Sequence, residues 1–399
     1  MKAGKYILLA GIFFSVSLQA KQRKWLVDGY VKQMQTNIIA PGTIITDHLL
    51  HHRLNFTHYT SNNITIKAGV RDRILYGDLT QNYELFTGVP YSAVIDGGND
   101  ALDMSLFLVK SNQLYWHLLF DRAYIEYVKG DWEVRAGRQR INWGINTFWN
   151  PHDIFNAFNF FDFDYEERPG SDAIRIKKYK GINTSYEFAL KYFDSLENAT
   201  AAFLYRTTLK QYDLQTLLGV HNTDIVIGGG WAGYIKKKYG FKGELSYFQP
   251  YQDLSAKGVF VASLGTDFRV KKKWLTAIGV LYNEQRSGNS TNILDLTNSN
   301  NISAKNLSGQ AWNILLSTGR EINSRLSWNI ATMYTPLSDG VLLANTFTYS
   351  IKNNWDFDLI NQVFGQSMDA MKNPLTGTML SKGWRLSLNS HYLRLKISY

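Results

Sequence analysis

The connections between predicted strands fall into two alternating classes, and this alternation limits the fold more than any other feature of the chain. Connections after even-numbered strands are short, whereas all the long ones follow odd-numbered strands, near 77–113, 141–170, 249–257, 286–309 and 367–382. All seven prolines lie on the long side, outside the predicted strands. Short turns at one end and long loops at the other are typical of a membrane-spanning β-barrel, and a soluble sandwich has no reason to sort its loops in this way.

The predicted strands are segments in which apolar and polar residues alternate. They lie near 25–36, 49–59, 63–76, 114–128, 131–140, 171–179, 182–193, 198–210, 212–220, 223–236, 239–249, 258–270, 273–285, 310–321, 324–335, 340–351, 354–366 and 383–399. In a membrane barrel the apolar face contacts lipid and the polar face lines the lumen. We therefore predict an all-β fold: one antiparallel transmembrane β-barrel of about 18 strands, with 16 possible, long extracellular loops, short periplasmic turns and periplasmic termini. Segment 101–113 could add a short strand or a helix.

Residues 1–20 have the layout of a cleaved signal peptide, with Lys2 and Lys5 before an apolar run and small or polar residues up to Ala20. Residues 21–399 would then form the barrel as one domain. Beyond residue 20, no apolar run approaches the ~20 residues of a transmembrane helix. The chain contains no cysteine, which excludes disulfides, thiolate catalysis and zinc-thiolate sites.

The connection at 141–170 is the longest stretch rich in both aromatic and acidic residues. Loops of this length without regular structure are usually functional. We expect it to pack inside the barrel, with its aromatic residues on the inner wall near 63–76, 114–128, 131–140 and 171–179 and its acids facing the arginines there. The candidate residues of this loop are Trp143, Trp149, Asp153, Asp162, Asp164, Glu166 and Glu167.

Basic residues dominate the predicted inner faces of the strands around this loop. They are Lys67, Arg71, Arg73, Arg122, Arg135, Arg138, Arg140, Arg175 and Lys177. Opposed rows of charge can filter ions in a narrow pore, but the same arginines could simply neutralise loop acids and hold the loop, because buried charges must be paired. Arg138 and Arg140 have lipid-facing parity unless Gly137 hosts a bulge.

Two short motifs resemble parts of a known family. The sequence GRQRINWG at 137–144, a strand that leads into a long loop, resembles the porin-like channels of Gram-negative outer membranes. The last strand ends on Leu393, Leu395, Ile397 and Tyr399, and it resembles the C-terminal signal that the barrel assembly machinery reads in such proteins. The resemblance implies an aqueous channel in the outer membrane, with loop 141–170 as its constriction.

From these observations we predict a porin-like channel for passive or weakly selective diffusion of small hydrophilic solutes, in contact with membrane lipid and lipopolysaccharide. We predict no cofactor, no metal site, no nucleic-acid partner and no enzymatic activity. His51 and His52 point to opposite faces of a strand, as do Ser390 and His391, which argues against a metal site and a phospholipase respectively. An adhesin, an assembly factor or a ligand-binding barrel is the alternative, a barrel enzyme a remote one. The oligomeric state stays open.

Overall fold

The computed structural model describes residues 24–40, 43–96, 100–157, 164, 166–191, 195–284, 302–368, 371–372, 379–380 and 383–399. The predicted signal peptide lies outside these residues and remains a prediction. The described chain is almost entirely β-structure, and eighteen of its strands close into one barrel. The predicted all-β, 18-stranded antiparallel barrel is confirmed.

The elements follow one another along the chain with two helices between the third and fourth strands. The strands are β1 (Trp25–Ala40), β2 (Thr43–Tyr59), β3 (Ile64–Gly77), β4 (Ser105–Ser111), β5 (Leu114–Lys129), β6 (Trp132–Gln139), β7 (Ser171–Lys180), β8 (Thr184–Lys191), β9 (Thr200–Leu209), β10 (Tyr212–His221), β11 (Asp224–Ile235), β12 (Tyr239–Pro250), β13 (Val259–Val270), β14 (Trp274–Asn283), β15 (Trp312–Glu321), β16 (Leu326–Thr335), β17 (Gly340–Lys352), β18 (Trp355–Met368), β19 (Met371–Lys372), β20 (Met379–Leu380) and β21 (Gly383–Ser398). The helices are α1 (Asp78–Thr87) and α2 (Tyr91–Ile95), and a 3-10 turn spans Leu196–Asn198. Neither α-helix is long and apolar enough to cross a membrane.

The barrel is a simple meander that closes on its own ends. Each barrel strand pairs antiparallel with the next, and β21 pairs with both β18 and β1 to complete the ring. The three remaining strands lie outside this ring order: β19 and β20 form a separate pair, and β4 pairs with the first half of β5. Because β6 pairs only with the second half of β5, β4 occupies the position in the wall that β6 leaves free.

The connections follow the predicted sorting, with one class of tight turns. The turns after β11 and β13 hold two lysines each in the left-handed region, Lys236 and Lys237 with φ 53° and 55°, and Lys271 and Lys272 with φ 49° and 60°. Left-handed residues match the twist of a tight hairpin, and lysine adopts this conformation at a steric cost that glycine would avoid. The strand ends that the long connections join all lie at the opposite end of the barrel.

The first two strands extend further than the sequence predicts. The sequence predicts that the first strand ends at residue 36 and that the second begins at residue 49. In the structure β1 ends at Ala40 and β2 begins at Thr43. The reason is that the outward face of β1 carries Gln33, Gln35 and Asn37, so the apolar alternation that marks a membrane strand is lost there.

The two faces of the wall differ in exposure along each strand. On β9 and β10, Phe203 and Leu218 are exposed while their neighbours Leu204 and Leu217 are fully buried. Exposed apolar side chains form the membrane-facing surface, and the buried ones point into the barrel, where other parts of the chain cover them. The core of this protein therefore lies within the lumen.

The sorting of loops predicts an orientation that can be measured with single cysteines, because the chain has none of its own. We expect a cysteine at 291 or 372 to react with an impermeant thiol reagent on intact cells, and a cysteine at 130 or 352 to react only after lysis. Labelling at the second pair alone would reverse the orientation. Labelling of all four on intact cells would contradict the barrel.

Candidate functional site

The loop between β6 and β7 enters the barrel and is held by one carboxylate on the far wall. Glu244 of β12 is 1% exposed and accepts hydrogen bonds from three loop N–H groups: those of Ile145, Asn146 at 2.8 Å and His152 at 3.1 Å. A carboxyl group that accepts several backbone bonds is an effective anchor because it satisfies backbone donors that are buried away from water. Glu244 therefore fixes both ends of the segment 145–152.

Neighbouring polar side chains on β10, β12 and β13 extend this attachment. Gln215 donates to the carbonyl of Trp143 at 2.9 Å and to Nδ1 of His152. Ser246 donates to the carbonyl of Pro151 at 3.0 Å, and Ser263 donates to that of Trp149 at 2.8 Å. Three of these bonds satisfy backbone carbonyls of the loop that would otherwise be buried without a partner.

The loop folds on itself around Asp153. The Asp153 carboxylate accepts the N–H groups of Trp143 and Gly144, both at 2.7 Å. Burial raises the pKa of Asp153 to about 6, against the opposing effect of these two bonds. Burial also lowers the pKa of His152 to about 4, so at neutral pH its ring is uncharged, with Nδ1 accepting from Gln215 and Nε2 donating to the carbonyl of Leu245.

The aromatic residues of the loop pack on a wall that the sequence did not predict. Trp143, Phe148, Trp149 and Phe155 are buried in one apolar cluster whose wall residues include Leu204, Leu217, Val226, Phe248, Val261 and Leu281. These six wall residues lie on β9 to β14, whereas of the predicted strands 63–76, 114–128, 131–140 and 171–179 the last contributes a buried member of the cluster, Ala173.

Glycines on the inner wall make this packing possible. A Cβ at Gly228 would overlap the His152 ring, one at Gly265 would overlap Asn146, and one at Gly279 would overlap Phe148. Inward glycines together with an inward Glu244 are a sequence signal that could have located the docking wall.

The acidic end of the loop faces the strands that close the barrel. Asp164 lies 2.6 Å from Lys32 of β1 and 3.7 Å from Arg394 of β21, and Glu166 lies 2.5 Å from Lys396 of β21. Tyr30 of β1 donates to Glu167 at 2.8 Å. The side chains of these acids thus have partners on β1 and β21, which the sequence did not predict, and Glu167 also accepts a bond from Arg122 of β5 through its carbonyl. Asp162 lies outside the described residues.

The predicted basic residues Arg71 and Arg73 of β3 lie near a histidine on β2. His51 is 1% exposed and lies in the field of Lys32, Arg53, Arg71 and Arg73. Arg53 pairs with Asp121 at 2.5 Å, and both side chains are almost fully buried. Arg73 donates to the carbonyl of Ile95 at 2.6 Å. The lumen thus holds a concentration of positive charge beside β1, β2 and β3.

The predicted basic residues Arg135 of β6 and Arg175 and Lys177 of β7 are paired with acids of the same wall. Arg135 contacts Glu126 at 2.5 Å and Glu133 at 3.0 Å. Arg175 contacts Glu187 at 2.7 Å, and Lys177 lies 4.0 Å from that carboxylate. Because Glu187 also accepts from the Trp143 indole at 2.5 Å, this ladder of charges joins the wall to the loop.

The other predicted basic residues have different surroundings. Arg122 donates to the carbonyls of Glu167 and, at 2.8 Å, of Arg168, so it holds the end of the loop. Arg138 lies at an outward-facing position of β6, but its side chain is fully buried. It contacts Asp172 at 2.7 Å.

The bulge expected at Gly137 is absent, because the pairing of β6 runs through Gly137 without a register shift. A register shift lies instead between β3 and β5, near Asp121. Arg140 and Lys67 are half-buried.

The helical segment after β3 packs against β2, β3 and β5. Asp47 of β2 accepts the N–H of Thr80 at 3.0 Å and its hydroxyl at 2.9 Å. Tyr91 and Ile95 pack on the inward residues Leu75 and Tyr115. In segment 78–112, whose structure the sequence leaves open, the described residues form two helices and one wall strand, and the helices contact inward residues of β2, β3 and β5.

The C-terminal residues lie at the seam where the barrel closes. Leu393, Leu395 and Ile397 pair with outward-facing positions of β1. The Tyr399 hydroxyl crosses β1 at Gly29, donates to the carbonyl of Arg53 at 3.2 Å and lies 2.8 Å from Nε2 of His52 on β2.

We predict that deleting Tyr399 lowers the amount of folded, heat-modifiable barrel in the outer membrane without lowering synthesis. Tyr399 would act as the terminal aromatic residue of the assembly signal. It would also hold the end of β21 beside β1 through its contacts with β2. Tyr399→Phe, which keeps the ring, is the matched control and should assemble better than the deletion or Tyr399→Asp. Normal assembly of both severe variants would contradict a signal at this end.

Comparisons place this geometry among known structures. No model of a known protein family matches the chain, and no curated protein matches its sequence. The fold is similar to that of Acinetobacter baumannii OccAB4, with a TM-score of 0.56 at 9% identity over 95% of this chain and 99% of that one. Pseudomonas aeruginosa OccK5 (OpdH) gives 0.57 at 7% identity over 94% and 98%, and Pseudomonas aeruginosa OccK11 (OpdR) gives 0.55 at 7% identity over 94% and 96%. The similarity concerns the fold.

Proposed function

We propose that this protein is an outer-membrane channel through which small hydrophilic solutes diffuse, with the loop at 141–170 as its constriction. One observation carries the proposal: an 18-stranded ring contains a loop that crosses its interior and is anchored by Glu244 on the opposite wall. A barrel of this strand number is wide enough for a water-filled lumen, and an inserted loop would narrow it. The similar fold of the Occ structures supports the same assignment.

Space and charge beside the loop support passage of polar solutes. A cavity of about 390 Å³ lies between the loop and the short-turn ends of β8 to β10. Its polar lining includes Asn183, Arg206, Thr208 and Asp213. On the other side of the loop, the cations around His51 face the lumen. We infer a weak preference for anions, because the loop acids and the wall acids offset only part of this positive charge.

The experiment is single-channel recording in planar bilayers with a panel of solutes and with a salt gradient. We expect stepwise currents and a reversal potential that indicates mild anion preference. Absence of any conductance from folded, heat-modifiable protein would overturn the channel and would favour the adhesin or ligand-binding alternative.

Neutralising the acidic end of the loop should increase anion preference. In the triple variant Asp164→Asn, Glu166→Gln, Glu167→Gln, Lys32 and Lys396 lose their acidic partners, and Arg394 loses Asp164 but keeps Asp358. The shift in reversal potential should grow at low salt, because screening beyond about 10 Å at 0.1 M weakens as salt falls. Glu284→Gln, outside this loop, serves as the control. An unchanged reversal potential in the triple variant would show that these acids lie away from the ion path.

A further inference from the structure

Three neighbouring tight turns at the short-turn end of the barrel concentrate positive charge. The connections after β9, β11 and β13 contain seven lysines and no acidic residue: Lys210 and the runs at 236–238 and 271–273. These hairpins are adjacent in the ring, because β10 pairs with β11 and β12 pairs with β13. All seven lysines are exposed, and in the part of the chain that the structure describes none of them forms an ion pair. We call this surface the lysine rim.

Backbone conformation does not explain the choice of lysine in these turns. Five of the lysines lie in the left-handed region, with φ between 49° and 60°: Lys210, Lys236, Lys237, Lys271 and Lys272. Glycine adopts this conformation without the steric cost that a side chain brings. Two other short turns at the same end have glycine there, Gly130 with φ 55° and Gly181 with φ 65°. The unfavourable conformation of the lysines therefore points to a use for their charge.

The lysine rim borders the surface that contacts lipid. In each of the three turns the lysines follow an exposed apolar residue and precede an aromatic one: Leu209 and Tyr212, Ile235 and Tyr239, Val270 and Trp274. The Tyr239 ring lies 5.7 Å from that of Phe268 on the next strand, and Lys238 Nζ lies 5.0 Å from the Tyr239 ring centroid. Aromatic residues on the outer face of a barrel mark the boundary between lipid and water. The lysines beside them therefore lie at the depth of lipid headgroups.

The barrel itself does not neutralise these charges. The nearest acids in sequence, Asp213 and Asp267, are at inward-facing positions, where Asp213 accepts from Thr208 at 2.6 Å and Asp267 lies 3.2 Å from Lys242. In contrast, the turn after β5 has an acid, Asp131, close to Lys129. Lysine binds phosphate as a point charge, so a phosphate group at the headgroup depth would supply the negative charge that the rim lacks.

We propose that the lysine rim binds the phosphate groups of anionic phospholipids in the leaflet that the short turns face. In the predicted orientation this is the periplasmic leaflet. The three turns span four strand spacings of ~4.8 Å, or about 19 Å, so several headgroups fit along the rim. A soluble polyanion would also meet the lysines, but the apolar and aromatic residues in each turn fit a lipid better. The site lies outside the lumen and does not depend on conduction.

The test compares the lipid composition beside two turns, using single cysteines in a chain that has none of its own. Gln211→Cys places a fluorophore on the lysine rim, and Asn62→Cys places one in the short turn after β2, which has no lysine. The barrel is reconstituted with spin-labelled phosphatidylglycerol or spin-labelled phosphatidylcholine as quencher. We expect the anionic lipid to quench the label at 211 more than the label at 62, and the zwitterionic lipid to quench both equally. The difference should shrink at high salt, because exposed charges are then screened.

Substitutions of the same lysines separate charge from conformation. Lys236→Asn with Lys237→Asn and Lys238→Asn removes three charges but keeps a residue that tolerates the left-handed region. The excess of anionic lipid at residue 211 should fall by at least about fivefold, the factor expected for one lysine at an anionic surface. The matched variant Lys236→Arg with Lys237→Arg and Lys238→Arg keeps the charges and should keep the excess.

Three results would overturn the proposal. The first is equal quenching of both labels by the anionic lipid in the parent barrel. The second is an excess that persists in the asparagine variant, and the third is an excess that is lost in the arginine variant as well. Binding of the parent barrel to isolated peptidoglycan, without any preference for phosphatidylglycerol, would identify a different partner and would also overturn it. Heat-modifiability of each variant confirms that the barrel compared is folded.

Discussion

Glu244→Ala should open the channel: we expect larger and noisier single-channel currents from a barrel that still assembles. The substitution removes the acceptor of the Ile145 and His152 N–H groups, whereas the N–H of Asn146 keeps a second acceptor, Asn150 Oδ1. A buried donor without a partner costs about 1–3 kcal/mol, so two of them offset part of the packing that holds the loop on the wall. The loop should then spend part of its time away from β12.

Graded variants make this expectation specific to the anchor. Glu244→Gln keeps one acceptor oxygen and should have an intermediate conductance, whereas Ser246→Ala removes only the bond to the Pro151 carbonyl and should stay near the parent. Deletion of residues 150–165 should raise conductance further if the barrel assembles. Parental currents from both Glu244→Ala and the deletion, with normal heat-modifiability, would show that the loop does not limit the flow of ions.

Asp121→Ala should destabilise the barrel strongly, by about 3–5 kcal/mol, because it leaves the buried cation Arg53 without its partner. The effect is expected to be large at this place, since Lys32, Arg71 and Arg73 lie around the same histidine and add like charge. Urea unfolding of the barrel in lipid vesicles, followed by tryptophan fluorescence, measures the change.

A double variant separates the lost pair from lost packing. Arg53→Met with Asp121→Leu removes both charges and fills similar volume, and replacements of buried pairs by apolar residues are often neutral or stabilising. Asp253→Ala, in an exposed connection, is the control for a lost surface carboxylate. If Asp121→Ala unfolds at the same urea concentration as the parent, Arg53 must be stabilised by other groups in the lumen.

The two halves of the loop are attached to the ring by different interactions. The first half is attached to β10, β12 and β13 by hydrogen bonds, and the end of the loop is attached to β1 and β21 by ion pairs. The two attachments lie on different parts of the ring. Conductance and selectivity should therefore respond to different substitutions: Glu244 controls the position of the loop, and Asp164 and Glu166 control its field.

Local sequence patterns determined the barrel. Two-residue alternation defines a strand with one lipid face, and turn length and proline position define its ends, so the eighteen strands and their sorted loops could be derived from neighbouring residues alone. The same rules placed Arg71, Arg135 and Arg175 on the inner wall. These rules failed for the parts of β1 and β2 nearest the connection at 41–42. Polar residues interrupt the apolar alternation there, and both strands are longer than predicted.

Only the closed tertiary structure decided what the inner residues contact. β1 and β21 are at opposite ends of the chain and become neighbours through ring closure, so no local pattern could show that Lys32, Arg394 and Lys396 would receive the loop acids. The docking wall depends likewise on inward glycines and Glu244 on strands far along the chain, whose side chains face the loop only across the lumen. Strand periodicity is set by bonds between adjacent residues, whereas contacts across a lumen are set by the diameter and register of the whole ring.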